Sequence, residues 1–209
     1  MYGKDGTAYW NYYGQGYYKF NFSSLETMGH TNFWHVPFKQ ITSTEFPALK
    51  SIGQRCFCMN DYLTKVNLPL LETIKPASIE SSEGLWADDY KVAIVSEGSP
   101  WADCPNLTSV TLPALKKLNI NFEGCTSLTT VDLTAVESIF TFESASLTNL
   151  IIRKETPPAL YITWYGGRPI DFSTILNIYV PNPELYAELD NWQYYYNLGR
   201  IKPLSEYEG

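Results

Sequence analysis

The chain has 209 residues, 44% of them hydrophobic, and its 15 basic and 22 acidic side chains give a net charge of −7. A negative chain without basic clusters is not expected to bind nucleic acid by neutralising phosphates, nor anionic lipid as a peripheral protein. It has no run of about 18 apolar residues, so no segment is expected to insert in a membrane.

The first segment of the chain has no clear repeat register. Residues 1–16 are rich in Gly and Tyr and lack the apolar core of a signal peptide. They predict an N-terminal tail or a partial cap. The protein is therefore expected to be cytosolic, or to be exported by a signal that this chain does not contain.

A repeated motif follows. The pattern L-T-x-V-x-L at 107–112 returns at 128–133, and 147–152 carries a third copy as L-T-x-L-x-I. The first two copies are 21 residues apart and the next two are 19 apart. Earlier coils share the register, since 46–57 repeats 22–33 at an offset of 24. This pattern and period indicate a leucine-rich repeat solenoid, in which stacking buries a core that one coil cannot bury alone.

Each copy of the motif predicts a short strand, and the stack predicts a parallel sheet. Strand alternation turns Val110 and Leu112 inward and the residues beside them outward. The outward positions are almost wholly polar and form a candidate binding face, with Lys65, Asn67 and Asp132 as candidate contacts. The complete outward set is Lys19, Asn21, Ser43, Glu45, Lys65, Asn67, Ser109, Thr111, Thr130, Asp132, Asn149 and Ile151.

The third coil is predicted to contain an insertion at about 77–99. The step from Leu63 to Leu107 is 44 residues, about twice the period, and no second L-x-x-L-x-L lies between them. This favours an excursion with a small hairpin. The alternative is a divergent coil that would use Val92, Ile94 and Val95 as strand anchors. Long insertions in regular repeats often carry function.

Residues 155–209 predict a capping module that closes the open end of the array. A short strand leads into a helix, in which Asn182 is placed to cap and Pro183 suits the first helical position. One apolar stripe gives the helix a buried face; it consists of Leu185, Leu189, Trp192 and Tyr196. Gly199 is the expected C-terminal cap, and a last strand is expected near 201–204.

With these residues in place, the chain resembles the BspA-like leucine-rich repeat proteins of host-associated anaerobic bacteria. Their coil runs roughly L-T-x-V-x-I-P-x-x-V-x-x-I-G-x-x-A-F-x-x-C. Here Ile52-Gly53-x-x-Cys56-Phe57 stands for I-G-x-x-A-F, and 122–125 stands for F-x-x-C. The glycine of the I-G pair is replaced in three coils, by Lys75, Asn119 and Phe140.

The repeats predict a mostly β solenoid of the α/β type. It is a right-handed leucine-rich repeat stack over 17–154, with a parallel sheet, a short irregular convex side and a C-terminal strand–helix cap. The resemblance implies a secreted or surface-tethered protein without enzymatic activity, used for adhesion or host contact. The expected partner is a protein on a host or bacterial surface, bound through the solenoid face or the insertion loop.

The alternative partner is a glycan, because aromatic side chains stand in the insertion and ahead of the capping module. Aromatic rings on loops stack on sugar faces or anchor protein partners. They equally cover the sides of a solenoid. The candidate contacts in these segments are Trp86, Asp88, Asp89, Tyr90, Tyr161, Trp164 and Tyr165.

The cysteines and histidines are interpreted as structural. Cys104 and Cys125 share one repeat position and are expected as stacked buried thiols rather than as a disulfide or metal pair. Cys56 is expected in the core and Cys58 on the surface. The two histidines have no further metal ligands nearby, and no nucleophile elbow, phosphate loop or Ser/His/Asp set is present. The sequence therefore predicts no catalytic, metal or cofactor site.

Overall fold

The computed structural model describes residues 7–11, 17–75, 99–144, 146–160, 170–171 and 177–208. Within these ranges the chain is mostly β-structure, with two short α-helices and one 3-10 turn. The first strands are β1 (Thr7–Asn11), β2 (Tyr17–Asn21), β3 (Gln40–Thr42), β4 (Ser51–Ile52), β5 (Lys65–Asn67), β6 (Thr73–Ile74), β7 (Ser109–Leu112) and β8 (Lys117–Asn121). The later strands are β9 (Thr130–Leu133), β10 (Ser138–Glu143), β11 (Asn149–Ile152), β12 (Ala159–Leu160), β13 (Ile170–Asp171), β14 (Asn177–Val180) and β15 (Ile201–Pro203). The helices are α1 (Glu184–Ala187) and α2 (Asp190–Asn197), and the 3-10 turn is Leu204–Glu206.

The coils stack through a seven-stranded parallel sheet. Its order is β3-β5-β7-β9-β11-β14-β15, so each coil adds one strand beside the strand of the coil before it. Val66 pairs with Val110, and Val110 pairs with Val131, so the equivalent residues lie on adjacent rungs. β5 pairs directly with β7, although the segment 76–98 lies between them in the sequence. The predicted parallel stack is confirmed.

A ladder of threonines explains the second residue of the repeated motif. Thr108 donates its backbone N–H and its hydroxyl to the carbonyl oxygen of Thr64, at 3.0 and 2.8 Å. Thr129 makes the same two bonds to Thr108, at 3.0 and 3.2 Å. Since a carbonyl oxygen has two lone pairs, one rung satisfies both donors. Threonine therefore joins neighbouring coils by two hydrogen bonds where an apolar residue would provide one.

The side of the stack opposite the main sheet is more regular than the short irregular segment predicted. Here β4 pairs with β6, and β8 pairs with β10, all in parallel. The physical reason is a second alternation: Leu118 and Ile120 of β8 are fully buried, while Asn119 between them is half-buried. Each coil thus contributes apolar side chains to the core from two strands.

The main sheet begins differently from the prediction. β3 pairs with β5 so that Gln40 and Thr42 occupy the outward positions predicted for Ser43 and Glu45. The latter two residues lie in a turn after β3, and Glu45 is only 5% exposed. Its Oε2 accepts hydrogen bonds from the backbone N–H of Thr42, at 2.9 Å, and from the Thr42 hydroxyl, at 2.6 Å. β3 is the outermost described strand of the main sheet at this end. The Glu45 carboxylate therefore accepts a backbone N–H that an edge strand would otherwise leave unpaired.

The N-terminal strands also depart from the prediction. Lys19 and Asn21 were expected on the outward face of the first coil. They lie in β2, which pairs antiparallel with β1 and, among the described strands, with no member of the main sheet. The interior of the first two coils is instead filled by aromatic rings, with Phe22 stacked on Phe46 at 5.0 Å and Phe33 stacked on Phe57 at 5.7 Å between ring centroids.

The predicted capping helix is broken into two. Leu189 is extended, with φ −100° and ψ 119°, and separates α1 from α2. The break changes which side chains face the core: Tyr186, Trp192 and Tyr195 are buried, whereas Leu189 is 42% exposed. The continuous apolar stripe predicted for this helix is therefore wrong, and so is its side-chain cap, since no such bond is present at the start of α1.

Other parts of the capping module agree with the prediction. Gly199 has φ +66° and stands just after Leu198, the residue that ends α2, as expected for a C-terminal cap. The strand after it, β15, pairs in parallel with β14. The indole Nε1–H of Trp192 donates to the carbonyl oxygen of Pro158 at 2.8 Å, which attaches α2 to the end of the repeat array.

Candidate binding face

The outward face of the main sheet carries two rows of side chains. Within each row, neighbouring members are register partners on adjacent strands. The first row is Gln40, Lys65, Ser109, Thr130, Asn149 and Asn177. The second row is Thr42, Asn67, Thr111, Asp132, Ile151 and Tyr179. Adjacent parallel strands lie about 4.8 Å apart, so these are regularly spaced arrays of hydroxyl, amide and charged groups.

Three candidate contacts predicted from the sequence fall on this face. Lys65 is exposed at one end of β5, and Asn67 is half-buried at its other end. Thr111 lies between Asn67 and Asp132 in the second row, so the sheet brings these two predicted contacts to within two strands of each other.

Asp132 is already paired within the chain. Its two carboxylate oxygens accept a two-pronged hydrogen bond from Arg153, with Nε–Oδ1 at 2.9 Å and Nη2–Oδ2 at 2.8 Å. The hydrogen bond to Asp132 raises the pKa of the Arg153 guanidinium. The opposite charges of Asp132 and Arg153 cancel at this point of the face. The two parallel hydrogen bonds hold both side chains in one plane.

The C-terminal end of the face is covered by the chain itself. Ile151, predicted to point to solvent, is 1% exposed, and Tyr179 beside it is 8% exposed. Neither belongs to the main core cluster, in agreement with their outward positions. The ring of Tyr207, just after the 3-10 turn, lies 5.1 Å from that of Tyr179. The expectation that Ile151 is solvated is therefore wrong, and Tyr207 packs on the outward residue next to it.

The remaining candidate contacts are those of the insertion and of the segment ahead of the capping module. Trp86, Asp88, Asp89, Tyr90, Tyr161, Trp164 and Tyr165 all lie outside the described residues. Exposed aromatic side chains do occur elsewhere, notably Trp34 at 51% and Tyr62 at 66%. One signal in the sequence could have found Trp34, because it stands next to Phe33, the anchor position of its coil.

The four cysteines are free thiols, and all are buried. Cys104 and Cys125 occupy equivalent positions one coil apart, as predicted, and their thiols donate to the carbonyl oxygens of Phe57 and Trp101, at 3.3 and 3.0 Å. Cys58, predicted to be exposed, is 3% exposed. Its thiol donates to the carbonyl oxygen of Ser99 at 3.1 Å, and burial raises its pKa to about 12. Low thiolate content and burial make it chemically inert.

The histidines have structural surroundings. His30 Nδ1 accepts the backbone N–H of Gln54 at 2.9 Å, a bond between the first two coils. The ring of His35 lies 5.1 Å from that of Trp34. Within the described residues, no cluster of three or more His, Cys, Asp or Glu side chains is arranged to hold a metal ion.

Stacked coils that each add a strand to one parallel sheet define a leucine-rich repeat solenoid, a fold that typically serves as a non-enzymatic interaction scaffold. The family model described as a BspA type leucine rich repeat region matches residues 14–86 and 97–158, in six copies. The match covers more than half of the chain, so the chain belongs to the BspA-type leucine-rich repeat family. A comparison with curated proteins finds no match. In the described part of the chain, no helix is long and apolar enough to cross a bilayer.

Proposed function

We propose that this chain is a non-enzymatic module, secreted or displayed at a cell surface, that binds a protein partner through the open part of its outward sheet face. The open part comprises the outward residues of β5, β7 and β9. It lies between the edge turn that holds Glu45 and the region covered by Tyr207. The observation that supports this proposal is the pair of in-register polar rows on those strands.

The rows suit a protein partner for physical reasons. The strands that carry them are paired on both sides, so their side chains are held on a rigid frame and lose little freedom on binding. Their hydroxyl and amide groups both donate and accept hydrogen bonds. Lys65 adds one exposed positive charge in an otherwise acidic chain, which favours approach by a partner with an acidic patch.

The insertion at about 77–99 is the second proposed contact. It interrupts an otherwise regular array between β6 and β7, and long insertions of this kind often carry function. Its support comes from the sequence alone, since residues 76–98 lie outside the described ranges.

Affinity capture with matched variants tests the proposal. Host-surface and bacterial extracts are passed over the wild-type chain, a face variant with Lys65→Glu and Asn67→Arg, a chain that lacks 77–98 and keeps the buried Ser99, and the control Lys117→Glu. Lys117 is an exposed residue of β8 on the other side of the stack. We expect a partner that the wild type and the control retain and that the face variant or the deletion loses. The same set of captured proteins on all four chains would contradict both proposed contacts.

A further inference from the structure

The fifth coil is shorter than the fourth on the side that leads back to the main sheet. β10 pairs with β8 so that Glu143 lies opposite Asn121, which sets Ser144 opposite Phe122. Leu128 follows Phe122 by six residues, whereas the equivalent Leu147 follows Ser144 by only three. The fifth coil therefore cannot cover the whole of the fourth coil on this side.

A ladder of backbone hydrogen bonds between the coils shows which contact the short fifth coil does not make. On this side, three coils each donate an N–H from the same repeat position to a carbonyl oxygen of the next coil. These bonds are His35 N–H to Cys58 O at 3.1 Å, Met59 N–H to Ala102 O at 3.0 Å and Asp103 N–H to Glu123 O at 2.8 Å. The donors have φ of 60°, 54° and 54°, and Gly124, the equivalent residue of the fourth coil, has φ 72°. Among the described residues, the N–H of Gly124 meets no acceptor.

The shortened coil leaves an open groove of about 390 Å³ beside Gly124. Ser144 lines it, is 5% exposed, and its hydroxyl has no partner in the described part of the chain. The hydroxyl of Ser146 lies 2.8 Å from the carbonyl oxygen of Cys125 and 2.9 Å from that of Leu128. Ser146 thus replaces part of the lost backbone pairing, while the N–H of Gly124 and the hydroxyl of Ser144 have no partner among the residues that the structure describes.

The groove is acidic. Glu123 is exposed at its edge, and Asp103 lies beside it, since a Cβ added to Gly124 would collide with Asp103 Oδ1. None of the described residues that line the groove is basic. A ligand here must therefore bring its own positive charge to be complementary.

The geometry points to a docking site for an extended, basic peptide segment of a protein partner, which takes the place of the missing part of the fifth coil. One carbonyl oxygen of the peptide accepts the N–H of Gly124, as the next coil does at the three equivalent positions. A Lys or Arg side chain of the peptide faces Glu123 and Asp103. A polar group of the peptide pairs with the buried hydroxyl of Ser144.

This inference deepens the proposed function, because it also requires a protein partner, but it uses no residue of the sheet face. A peptide is favoured over a small polar ligand because the unpaired N–H continues a ladder whose other acceptors are backbone carbonyls. The unpaired N–H does not favour a metal ion, since an N–H donor does not coordinate a cation.

Selection of peptides on the full chain tests the site. A phage library of random dodecapeptides is panned on the immobilised wild type, and the enriched sequences are synthesised with blocked ends. We expect them to carry Lys or Arg, and to shift the Gly124 and Ser144 amide signals saturably in a 15N NMR titration. Thr126→Trp, which fills the groove from an exposed position, should abolish binding. Glu123→Gln should weaken binding about two- to fivefold, as expected for a solvent-exposed ion pair.

The control is Glu137→Gln, which removes an exposed carboxylate of the same coil boundary outside the groove, and it should bind as the wild type does. Enrichment of no peptide, or equal binding by Thr126→Trp, would overturn the inference. The face variant with Lys65→Glu and Asn67→Arg should bind the selected peptide normally. Loss of binding at the groove and loss of binding at the sheet face are therefore detected with different variants.

Discussion

Gly53 of the second coil packs directly on the backbone of Gly29 of the first coil. A Cβ built on Gly53 would lie 2.7 Å from the carbonyl carbon of Gly29, a distance that rigid backbone cannot accept. We expect Gly53→Ala to lower the free energy of unfolding by about 1–3 kcal/mol, the usual cost of overpacking. Urea unfolding measures the change.

The chain provides a matched control for that prediction. A Cβ on Gly29 would come no closer than 3.5 Å to Asn32 Nδ2, which is ordinary contact. Gly29→Ala should therefore leave the stability nearly unchanged. Similar losses for the two variants would show that helical or strand propensity, and not the approach of the two coils, sets the effect.

The threonine ladder predicts a loss that depends on the hydroxyl and not on the size of the side chain. Thr108→Val removes the 2.8 Å bond to Thr64 O and keeps the shape. It should cost about 0.5–1.5 kcal/mol, the net value of one hydrogen bond, whereas Thr108→Ser should retain most of the stability. Thermal unfolding of both variants measures this. A Ser variant that is as unstable as the Val variant would contradict the prediction.

The covered end of the sheet predicts the result of removing Tyr207. Tyr207→Ala takes away the ring that packs 5.1 Å from Tyr179. We expect amide exchange at Ile151 and Tyr179 to speed up and an apolar dye to bind the chain more strongly, because two outward apolar side chains become solvated. Tyr194→Ala, on an exposed ring of α2, is the control. Unchanged exchange at Ile151 would mean that another part of the chain covers it.

The buried thiol of Cys58 predicts how stability depends on pH. Burial raises its pKa from 9.0 to about 12, so the folded chain keeps the proton that the unfolded chain releases. The contribution is fully present below pH 9 and is lost as the pH rises towards 12. Cys58→Ala should show a shallower loss of stability across this range in urea unfolding. If the free energy of unfolding fell equally steeply with pH in the two chains, the Cys58 thiol would not be the group responsible.

Glycan binding remains a prediction from the loop aromatics. A glycan array probed with the wild type and with Trp164→Ala measures it, with Trp34→Ala as a control for an exposed ring in the first coil. We expect binding by the wild type and by the control, and its loss in Trp164→Ala, because sugar faces stack on indole rings. Equal binding by all three chains, or no binding, removes this site.

The parts of the fold that repeat were predictable, because a repeated motif places equivalent residues on adjacent rungs. Val66, Val110 and Val131 lie in the predicted register for this reason. The outward positions of β3 were not predictable from the same motif. Three extra residues stand between Thr42 and Phe46, and the alignment on Phe46 hid them.

The capping module and the covered face were harder to predict because they depend on contacts outside the repeat. Nothing in the spacing of Leu185 and Leu189 indicates the break between α1 and α2, since both positions fit a continuous stripe. Tyr207 stands in a short polar tail with no pattern that points to Tyr179. Of the candidate contacts, the sequence correctly placed Lys65, Asn67 and Asp132 on one face, but it could not show that Arg153 already neutralises Asp132.

The outermost strands of the main sheet have a consequence for assembly. On β3 the carboxylate of Glu45 takes the N–H of Thr42, and on β15 Pro203 has no N–H to give. Head-to-tail growth of these solenoids into fibres is thereby disfavoured at both ends. A second copy that approached either edge would therefore find fewer backbone N–H donors to pair with.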